Sequence, residues 1–245
     1  MTFSLLPTPP LTVAQHIALD RNLLPLVGSG DLPPFLRFWD CLDEAVVLGV
    51  AQKVDDHVHA DACAADSVPV LKRFSGGGTV WIGRGCLVFS VIRPFGDDIR
   101  QYDVQGAYRT VFQPVLDQFS RRGLAVTFEP PCDLALDGMK ICGNAQAQRR
   151  GSVLVHGSFL INEDISRIAR YVKHPTIAPT YRQGRPHNDF ICNLSTRGFT
   201  RATLAALLQA AWSAGHPIST DLTPLLDQSR AEAQGRGERP GVSVQ

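Results

Sequence analysis

The amino-acid sequence predicts an α+β fold with a mixed, largely antiparallel sheet flanked by helices. The chain has 245 residues and 44% hydrophobic content, which suffices for one sizeable core. Strand-like and helix-like patterns follow each other without the steady strand–helix–strand alternation of a doubly wound parallel sheet. We therefore expect one domain over residues 1–225. Because the end of the chain is polar and rich in glycine, we expect a flexible tail over residues 226–245.

In the first half of the chain, one helix precedes a series of strands. Residues 12–27 have an apolar side at helical spacing, with Thr12 as the N-cap and Pro25 disturbing the end of the helix. Residues 45–51 are continuously apolar, which is typical of a buried central strand. Residues 55–66 have a helical but rather polar pattern. The other strand-like runs are residues 35–40, 68–74 and 87–94.

The second half contains the clearest helices. Residues 103–122 form one helix, and residues 200–215 form another with Gly215 as its stop. Between them, the pair Asp137-Gly138 indicates a tight turn between two strands. The remaining elements are a strand at 124–131, a further strand after the hairpin, a short helix at 161–172 and an irregular stretch at 173–190.

Composition and charge exclude several classes of protein. Lys and Arg total 24 and Asp and Glu total 23, so the chain has neither a strongly basic nucleic-acid surface nor a polybasic membrane anchor. The N-terminus lacks the basic and apolar regions of a signal peptide, and no apolar run reaches the length of a membrane span. The six cysteines form no CxxC pair, so we expect reduced thiols rather than a metal framework. These observations favour a cytoplasmic protein.

A glycine-rich loop follows the strand predicted at residues 68–74. Gly76, Gly77 and Gly78 let the backbone approach a ligand closely, and free N–H groups there could bind an anionic oxygen. Lys72 and Arg73 add positive charge beside the loop. The alternative is a flexible hairpin turn. The pattern is neither a P-loop nor the dinucleotide fingerprint.

A lysine follows the turn of the predicted hairpin. Lys140 lies in an apolar setting, and we expect a small loop over residues 142–146 after it. An ammonium held there could stabilise charge that develops on a carbonyl or phosphate oxygen. The alternative is an ordinary surface lysine. His156 and Gly157 lie on the next strand, where a histidine is more often a hydrogen-bonded packing residue.

Together these segments resemble the biotin/lipoate protein ligase catalytic fold and, within it, the lipoate–protein ligase group. The similarity covers about residues 12–215 in the same order. The G-R-G-R-x-G signature of biotin ligases is absent. The matching strings are AVVLGVAQK (45–53), KRFSGGGTV (72–80), CDLALDGMKICGNAQ (132–146) and HGSFLI (156–161), and a subgroup of bacterial ligase-like proteins also resembles YRQGRPHNDFICNL (181–194).

The resemblance implies an enzyme that activates lipoate or octanoate with ATP as an acyl-adenylate and transfers the acyl group to a lysine of a lipoyl domain. Lys140 would be the catalytic residue, and Asp133 would help to hold Mg²⁺ near the phosphate. The implied substrate- and nucleotide-binding residues are Arg73, Ser75, Gly76, Gly77, Gly78, Thr79, Asp133, Gly143, Asn144, Ala145, His156 and Gly157.

Several departures from the ligase pattern leave two other hypotheses about the function open. The His-Asp pair that often follows the glycine loop is replaced by residues 81–84, and cysteines stand where the family has Asn and Ser, at Cys132 and Cys142. Either thiol could serve an octanoyltransferase that uses a carrier thioester instead of ATP. A ligase-like protein that binds a lipoyl compound or partner without catalysis is the third hypothesis. We expect no C-terminal accessory domain, so a separate accessory subunit could replace it.

Overall fold

The computed structural model describes residues 2–95, 103–149 and 151–235. Its strands are β1 (Ser4–Leu5), β2 (Phe35–Trp39), β3 (Ala45–Leu48), β4 (Val70–Lys72), β5 (Val80–Ile82), β6 (Cys86–Pro94), β7 (Val126–Glu129), β8 (Asp133–Leu136), β9 (Met139–Arg149) and β10 (Ser152–Leu160). Its helices are α1 (Val13–Ser29), α2 (Val54–His57), α3 (Ala60–Ala65), α4 (Val104–Ser120), α5 (Ile165–Tyr171), α6 (His187–Phe190), α7 (Arg201–Ala211) and α8 (Thr223–Gly235).

The strands form two sheets. The larger sheet has the order β1-β2-β6-β10-β9-β8-β7, and its neighbours are antiparallel except β1 and β2. The smaller sheet has the order β4-β3-β5, with β3 parallel to β4 and antiparallel to β5. The predicted α+β class with a mixed, largely antiparallel sheet is confirmed. The buried run at the start of 45–51 is indeed a central strand, but of the smaller sheet.

Alternating side chains of the larger sheet bury into different parts of the core. On β2, Phe35 joins α1 in one cluster, whereas Leu36 joins α4 and α7 in another. A third cluster joins Val88 of β6 to the smaller sheet and to α5 and α6. This division follows from the two-residue period of a strand. No helix of the described residues is long and apolar enough to cross a membrane.

Both long helices continue through a proline. The predicted N-cap Thr12 forms a capping box with Gln15, but α1 extends past Pro25 to Ser29. An interior proline removes one hydrogen bond, and Leu23, Leu24 and Val27 are buried around it. The expectation that Pro25 would disturb the end was therefore wrong. The last predicted helix is also shorter than expected, because α7 ends at Ala211 and Gly215 is not its stop.

Two local expectations fail. Residues 142–146 are not a loop but the middle of β9, where small and polar residues pair with β10. The flexible tail predicted from residue 226 also differs from the structure, because α8 continues to Gly235 and packs on α1. Ser229 of α8 is fully buried and accepts a hydrogen bond from Asn22 at 3.1 Å. Residues 236–245 lie outside the described residues.

Candidate active site

A cavity of about 430 Å³ lies where the two sheets meet the segment 173–191. Its apolar wall is formed by side chains from α1, both sheets, α5 and α6: Ile17, Trp39, Val47, Val80, Trp81, Val88, Leu160, Ile168, Phe190 and Ile191. Its size and lining are typical of a small-molecule site. The predicted residues that line it are Arg73, Gly78, Thr79, Asp133, Lys140, Gly143, Asn144, Ala145, His156 and Gly157. Ser75, Gly76 and Gly77 are outside the lining, although Ser75 contacts residues within it.

Lys140 projects from β9 into this cavity beside Asp133 of β8. Its Nζ lies 2.9 Å from Asp133 Oδ1, and Asp133 Oδ2 accepts a hydrogen bond from the Tyr181 hydroxyl at 2.8 Å. Burial lowers the pKa of Lys140, but the Asp133 carboxylate and neighbouring groups raise it more, so the pKa is above its usual value. Lys140 is therefore a cation, and its side chain keeps 23% of its surface exposed to meet an anionic ligand.

The backbone around Lys140 provides the space that its side chain needs. The ladder between β8 and β9 is irregular at Leu134 and Ala135, which changes the register beside Lys140. The end of the Lys140 side chain lies so close to Gly143 that a Cβ there would be 2.8 Å from Nζ. Only glycine leaves room for the lysine in this position.

The glycine loop is organised around the guanidinium of Arg73. Its Nη2 donates to the carbonyl oxygens of Gly76 at 2.6 Å and Gly78 at 2.8 Å, and its Nη1 donates to that of Val47 at 3.2 Å. Gly77 between them has φ of 85°, a conformation that favours glycine. Burial lowers the pKa of Arg73 to about 10, so it stays charged at neutral pH. Arg73 thus holds the loop together, and its contact with a phosphate stays a prediction.

A buried hydrogen-bond chain connects the glycine loop to α1. Arg73 Nε donates to Ser75 Oγ at 2.9 Å, and Ser75 Oγ lies 2.7 Å from His156 Nε2. His156 Nδ1 lies 3.1 Å from Asp20 Oδ2, and Asp20 forms a fully buried ion pair with Arg37 at 2.7 Å. Burial lowers the pKa of His156, so its ring is neutral. One ring nitrogen contacts Ser75 and the other contacts Asp20.

The end of this hydrogen-bond chain at α1 and Arg37 was not predicted from the sequence. His16 Nδ1 lies 3.0 Å from Arg37 Nη1, and His16 Nε2 lies 3.1 Å from the Asp40 carbonyl oxygen. The sequence did contain a sign of it, because His16 and Asp20 stand among the apolar residues that form the buried side of α1. A carboxylate on the core side of a helix needs a partner.

The two candidate cysteines differ in their access to the cavity. Cys132 is part of the lining, whereas Cys142 is fully buried and donates to Asn144 Oδ1 at 3.2 Å. Burial raises the pKa of both thiols, well above the usual value for Cys142. At Cys132, Asp133 raises the pKa further, and Lys140 and Arg73 oppose this effect. Cys132 is thus the better placed of the two to meet a substrate.

The residues around Asp133 do not form a ready metal site. Among the described residues there is no group of three or more His, Cys, Asp and Glu side chains that could hold a metal ion. Mg²⁺ often takes one or two carboxylates together with substrate phosphates. Both Asp133 oxygens are already engaged, by Lys140 and Tyr181. Each oxygen keeps a second lone pair, so a Mg²⁺ ion at Asp133 would share the carboxylate with Lys140 and Tyr181.

Residues 12–211 match the family model of the lipoyl protein ligase A/B catalytic domain. The chain belongs to this family. Octanoyltransferase LipM of Exiguobacterium sp. is 28% identical over 186 residues, which cover 66% of this chain and 67% of the relative. Lipoate-protein ligase A subunit 1 of Thermoplasma acidophilum is 29% identical over 181 residues, which cover 70% and 66%. The matched regions thus span only about two thirds of these relatives.

Solved structures confirm the predicted ligase-like fold. A bipartite lipoate protein ligase from T. acidophilum, studied with its E2 lipoyl domain, superimposes with a TM-score of 0.74 at 20% identity, covering 96% of this chain and 91% of that one. A lipoate-protein ligase A bound with ATP gives a TM-score of 0.75 at 21% identity, covering 96% and 94%. At this level of identity the likeness shows the fold.

Proposed function

We propose that the protein is a lipoate–protein ligase that forms an acyl-adenylate from lipoate or octanoate and ATP and transfers the acyl group to a lysine of a lipoyl domain. The observation that carries the proposal is the position of Lys140, a cation that lines a largely apolar cavity together with Gly78 and Thr79 of the glycine loop. The apolar wall suits an eight-carbon chain. Relatives and structural neighbours include lipoate ligases, one with ATP bound.

In this reaction the chain's own residues orient the reacting groups. The acyl carboxylate attacks the α-phosphate of ATP, and pyrophosphate leaves. The amine of the acceptor lysine then attacks the acyl carbon, the bond to the phosphate oxygen breaks, AMP leaves and the amine loses a proton. Lys140 stabilises the negative charge on the carbonyl and phosphate oxygens in both steps. To do so, its Nζ exchanges part of its contact with Asp133 for the ligand.

Two measurements test the proposal directly: the dependence of acyl transfer on ATP and the effect of substituting Lys140. Purified protein, apo lipoyl domain, lipoate and ATP should yield a lipoyl domain of increased mass together with AMP. Lys140→Ala should reduce the rate by about 10²- to 10³-fold, the usual effect of removing one group that stabilises an oxyanion. Lys173→Ala is a matched control, since Lys173 also lines the cavity but donates to the Asp55 carbonyl. Full activity of Lys140→Ala would contradict the proposal.

A second candidate function is an ATP-independent octanoyltransferase. It is favoured by the exposure of Cys132 to the cavity beside Lys140 and by relatives described as octanoyltransferase LipM. The Cys132 thiolate would attack the thioester carbon of an octanoyl carrier and release the carrier thiol. The acceptor amine would then displace Cys132 and form the amide. Activity with octanoyl carrier protein in the absence of ATP, abolished by Cys132→Ser but kept by Cys142→Ser, would establish this function instead.

The partners follow from the same proposal. The acceptor is a lipoyl domain, and a separate accessory subunit is also proposed. The T. acidophilum ligase is bipartite, and a relative is described as subunit 1. Activity that appears only after an accessory protein is added would support the second partner. If the protein binds a lipoyl domain or lipoate but transfers no acyl group from either donor, the non-catalytic hypothesis is favoured.

A further inference from the structure

The segment 181–194 folds against the two strands that carry Asp133 and Lys140. The Tyr181 hydroxyl donates to Asp133 Oδ2 at 2.8 Å, and the Cys192 backbone N–H donates to the Lys140 carbonyl oxygen at 2.9 Å. Arg185 Nη2 also donates to the Gly138 carbonyl oxygen at 2.9 Å, at the hairpin turn. Three contacts therefore fix the segment on the strands beside Lys140.

Arg182 is one of four residues that this segment presents to the cavity, with His187, Phe190 and Ile191. It lines the cavity although only 4% of its surface is exposed. Its Nε donates to the Arg185 carbonyl oxygen at 2.8 Å, and its Cζ lies 4.7 Å from the centre of the Phe190 ring. Its Nη2, however, is buried and has no hydrogen-bond acceptor within the part of the chain that the structure describes.

A buried guanidinium nitrogen without an acceptor is costly unless a ligand completes it. Leaving a buried charged donor unpaired costs more than a typical hydrogen bond returns. Such a cost is offset if an anion supplies the missing acceptor when the cavity is filled. A guanidinium stays protonated at neutral pH and offers the planar fork of donors that suits a phosphate.

The charges near Arg182 also favour an anion. His187 and Lys140 line the same cavity. The His174 ring lies edge-to-face with the His187 ring, with 6.4 Å between the ring centres. Burial, followed by the charge of Arg182, lowers the pKa of His187 to about 4, so its ring is neutral at neutral pH. The carboxylate in this region, Asp133, is already paired with Lys140 and Tyr181. Near neutral pH the cations around this carboxylate are therefore Arg182, Arg185 and Lys140.

We propose that Arg182 binds the phosphate ester of the acyl donor, and that Arg182 and Lys140 together form a phosphate subsite in the lining of the cavity. The inference rests on the proposed function for the identity of the donor. Two donors carry the same chemistry: the phosphates of a nucleotide, and the phosphate of the phosphopantetheine arm of an acyl carrier. The subsite therefore serves either the ligase or the octanoyltransferase reaction.

The test measures binding rather than catalysis, so it does not depend on whether acyl transfer is observed. Isothermal titration gives the affinity of the full-length protein for two ligand pairs, AMP with adenosine and 4′-phosphopantetheine with pantetheine. Each ratio of affinities isolates the phosphate. Arg182→Gln and Arg182→Lys are compared with Arg122→Gln, which changes an exposed arginine at the end of α4 that donates to Gln118. Thermal unfolding monitors whether each variant is folded.

In the wild-type protein and in Arg122→Gln, the phosphate should improve affinity roughly 10- to 100-fold in at least one pair. Arg182→Gln should remove most of that advantage and leave the part that Lys140 contributes. Arg182→Lys should keep more of it and remain informative if the glutamine variant does not fold. A preference for AMP identifies the nucleotide as the ligand, and a preference for 4′-phosphopantetheine identifies the carrier arm. If neither phosphate improves binding, or if the full advantage survives in Arg182→Gln, the proposal is overturned. Where the glutamine variant does not fold, an undiminished advantage in Arg182→Lys overturns it. Loss of acyl transfer with an intact phosphate preference would instead contradict the proposed function.

Discussion

At the scale of single residues, the resemblance predicted residues that meet at the cavity but not the contacts among them. The sequence pointed to Lys140, Asp133 and Asn144, and the structure brings all three to one cavity. It could not show that Asp133 pairs with Lys140, because that contact depends on the register of β8 against β9 and its irregularity. Arg182 lies in the ligase-like segment 181–194, yet its buried Nη2 without an acceptor follows only from the fold of that segment.

Gly143 gives a prediction at this scale. In Gly143→Ala the new Cβ would lie 2.8 Å from Lys140 Nζ and 2.9 Å from Cε, so the end of the lysine must move. Because only a flexible side chain shifts, the free energy of unfolding should change by less than about 1 kcal/mol. A displaced catalytic group can reduce the rate roughly 10- to 100-fold.

Steady-state kinetics of lipoyl-domain modification and urea unfolding of the same variant check both parts. Gly215→Ala is the control, since a Cβ there meets nothing within 4 Å. Unchanged kinetics in Gly143→Ala would show that the position of Lys140 above Gly143 does not matter for the reaction.

At the scale of elements, strands and helices with a strong apolar pattern were predicted well, whereas two polar elements, the middle of β9 and α8, were not. The apolar runs of β2, β3 and β6 and the helices α1 and α4 are where the pattern indicated. The middle of β9 was mistaken for a loop, because Gly143, Asn144 and Gln146 have weak strand preference. Pairing with β10 along nearly its whole length overrides that preference. The same holds for α8, whose contacts with α1 cannot be read from its polar sequence.

The buried chain from the glycine loop to α1 gives a prediction at the scale of elements. In Asp20→Asn the neutral amide keeps the shape of the carboxylate, but Arg37 loses its fully buried partner. Removing one member of a buried ion pair typically costs 3–5 kcal/mol, so the free energy of unfolding should fall by about 3 kcal/mol or more. Urea unfolding measures the change.

Asp117→Asn provides the comparison, because Asp117 is an exposed residue of α4 that accepts a hydrogen bond from Gln113. It should change stability by less than about 0.5 kcal/mol. Equal effects of the two substitutions would contradict a structural role for the buried Asp20–Arg37 pair. In Asp20→Asn we also expect weaker acyl-donor binding, because His156 loses the carboxylate that orients it toward Ser75.

At the scale of the whole molecule, the larger sheet brings α1, the glycine loop and the Lys140 hairpin together although they are distant in sequence. Strands β6 and β10 at its centre carry Ser90 and His156, and both side chains contact Asp20 of α1. Polar groups are therefore buried in the centre of the molecule as well as at the cavity. Because burial favours one protonation state of such groups, the free energy of unfolding should depend on pH.

His16 makes this dependence measurable. Burial, followed by the charge of Arg37, lowers the pKa of His16 from 6.5 to about 3 in the folded protein. Below pH 6.5 the unfolded chain therefore binds a proton that the folded chain does not, so stability is full above pH 6.5 and decreases as the pH falls toward 3. From pH 7 to pH 5 this histidine alone should remove about 2 kcal/mol from the free energy of unfolding. The lowered pKa of His156 acts in the same direction.

Urea unfolding at pH 7.5 and pH 5.0 tests the dependence through the difference between the two values rather than through stability itself. His16→Asn should be less stable at both pH values, since Arg37 Nη1 loses its ring acceptor, but the loss on acidification should shrink by about 2 kcal/mol. His216→Asn, a change at an exposed histidine, should leave the loss as in the wild type. If His16→Asn loses as much stability on acidification as the wild type, His16 is not the group that senses the pH. His156, the other histidine that is buried among the described residues, then becomes the one to substitute next.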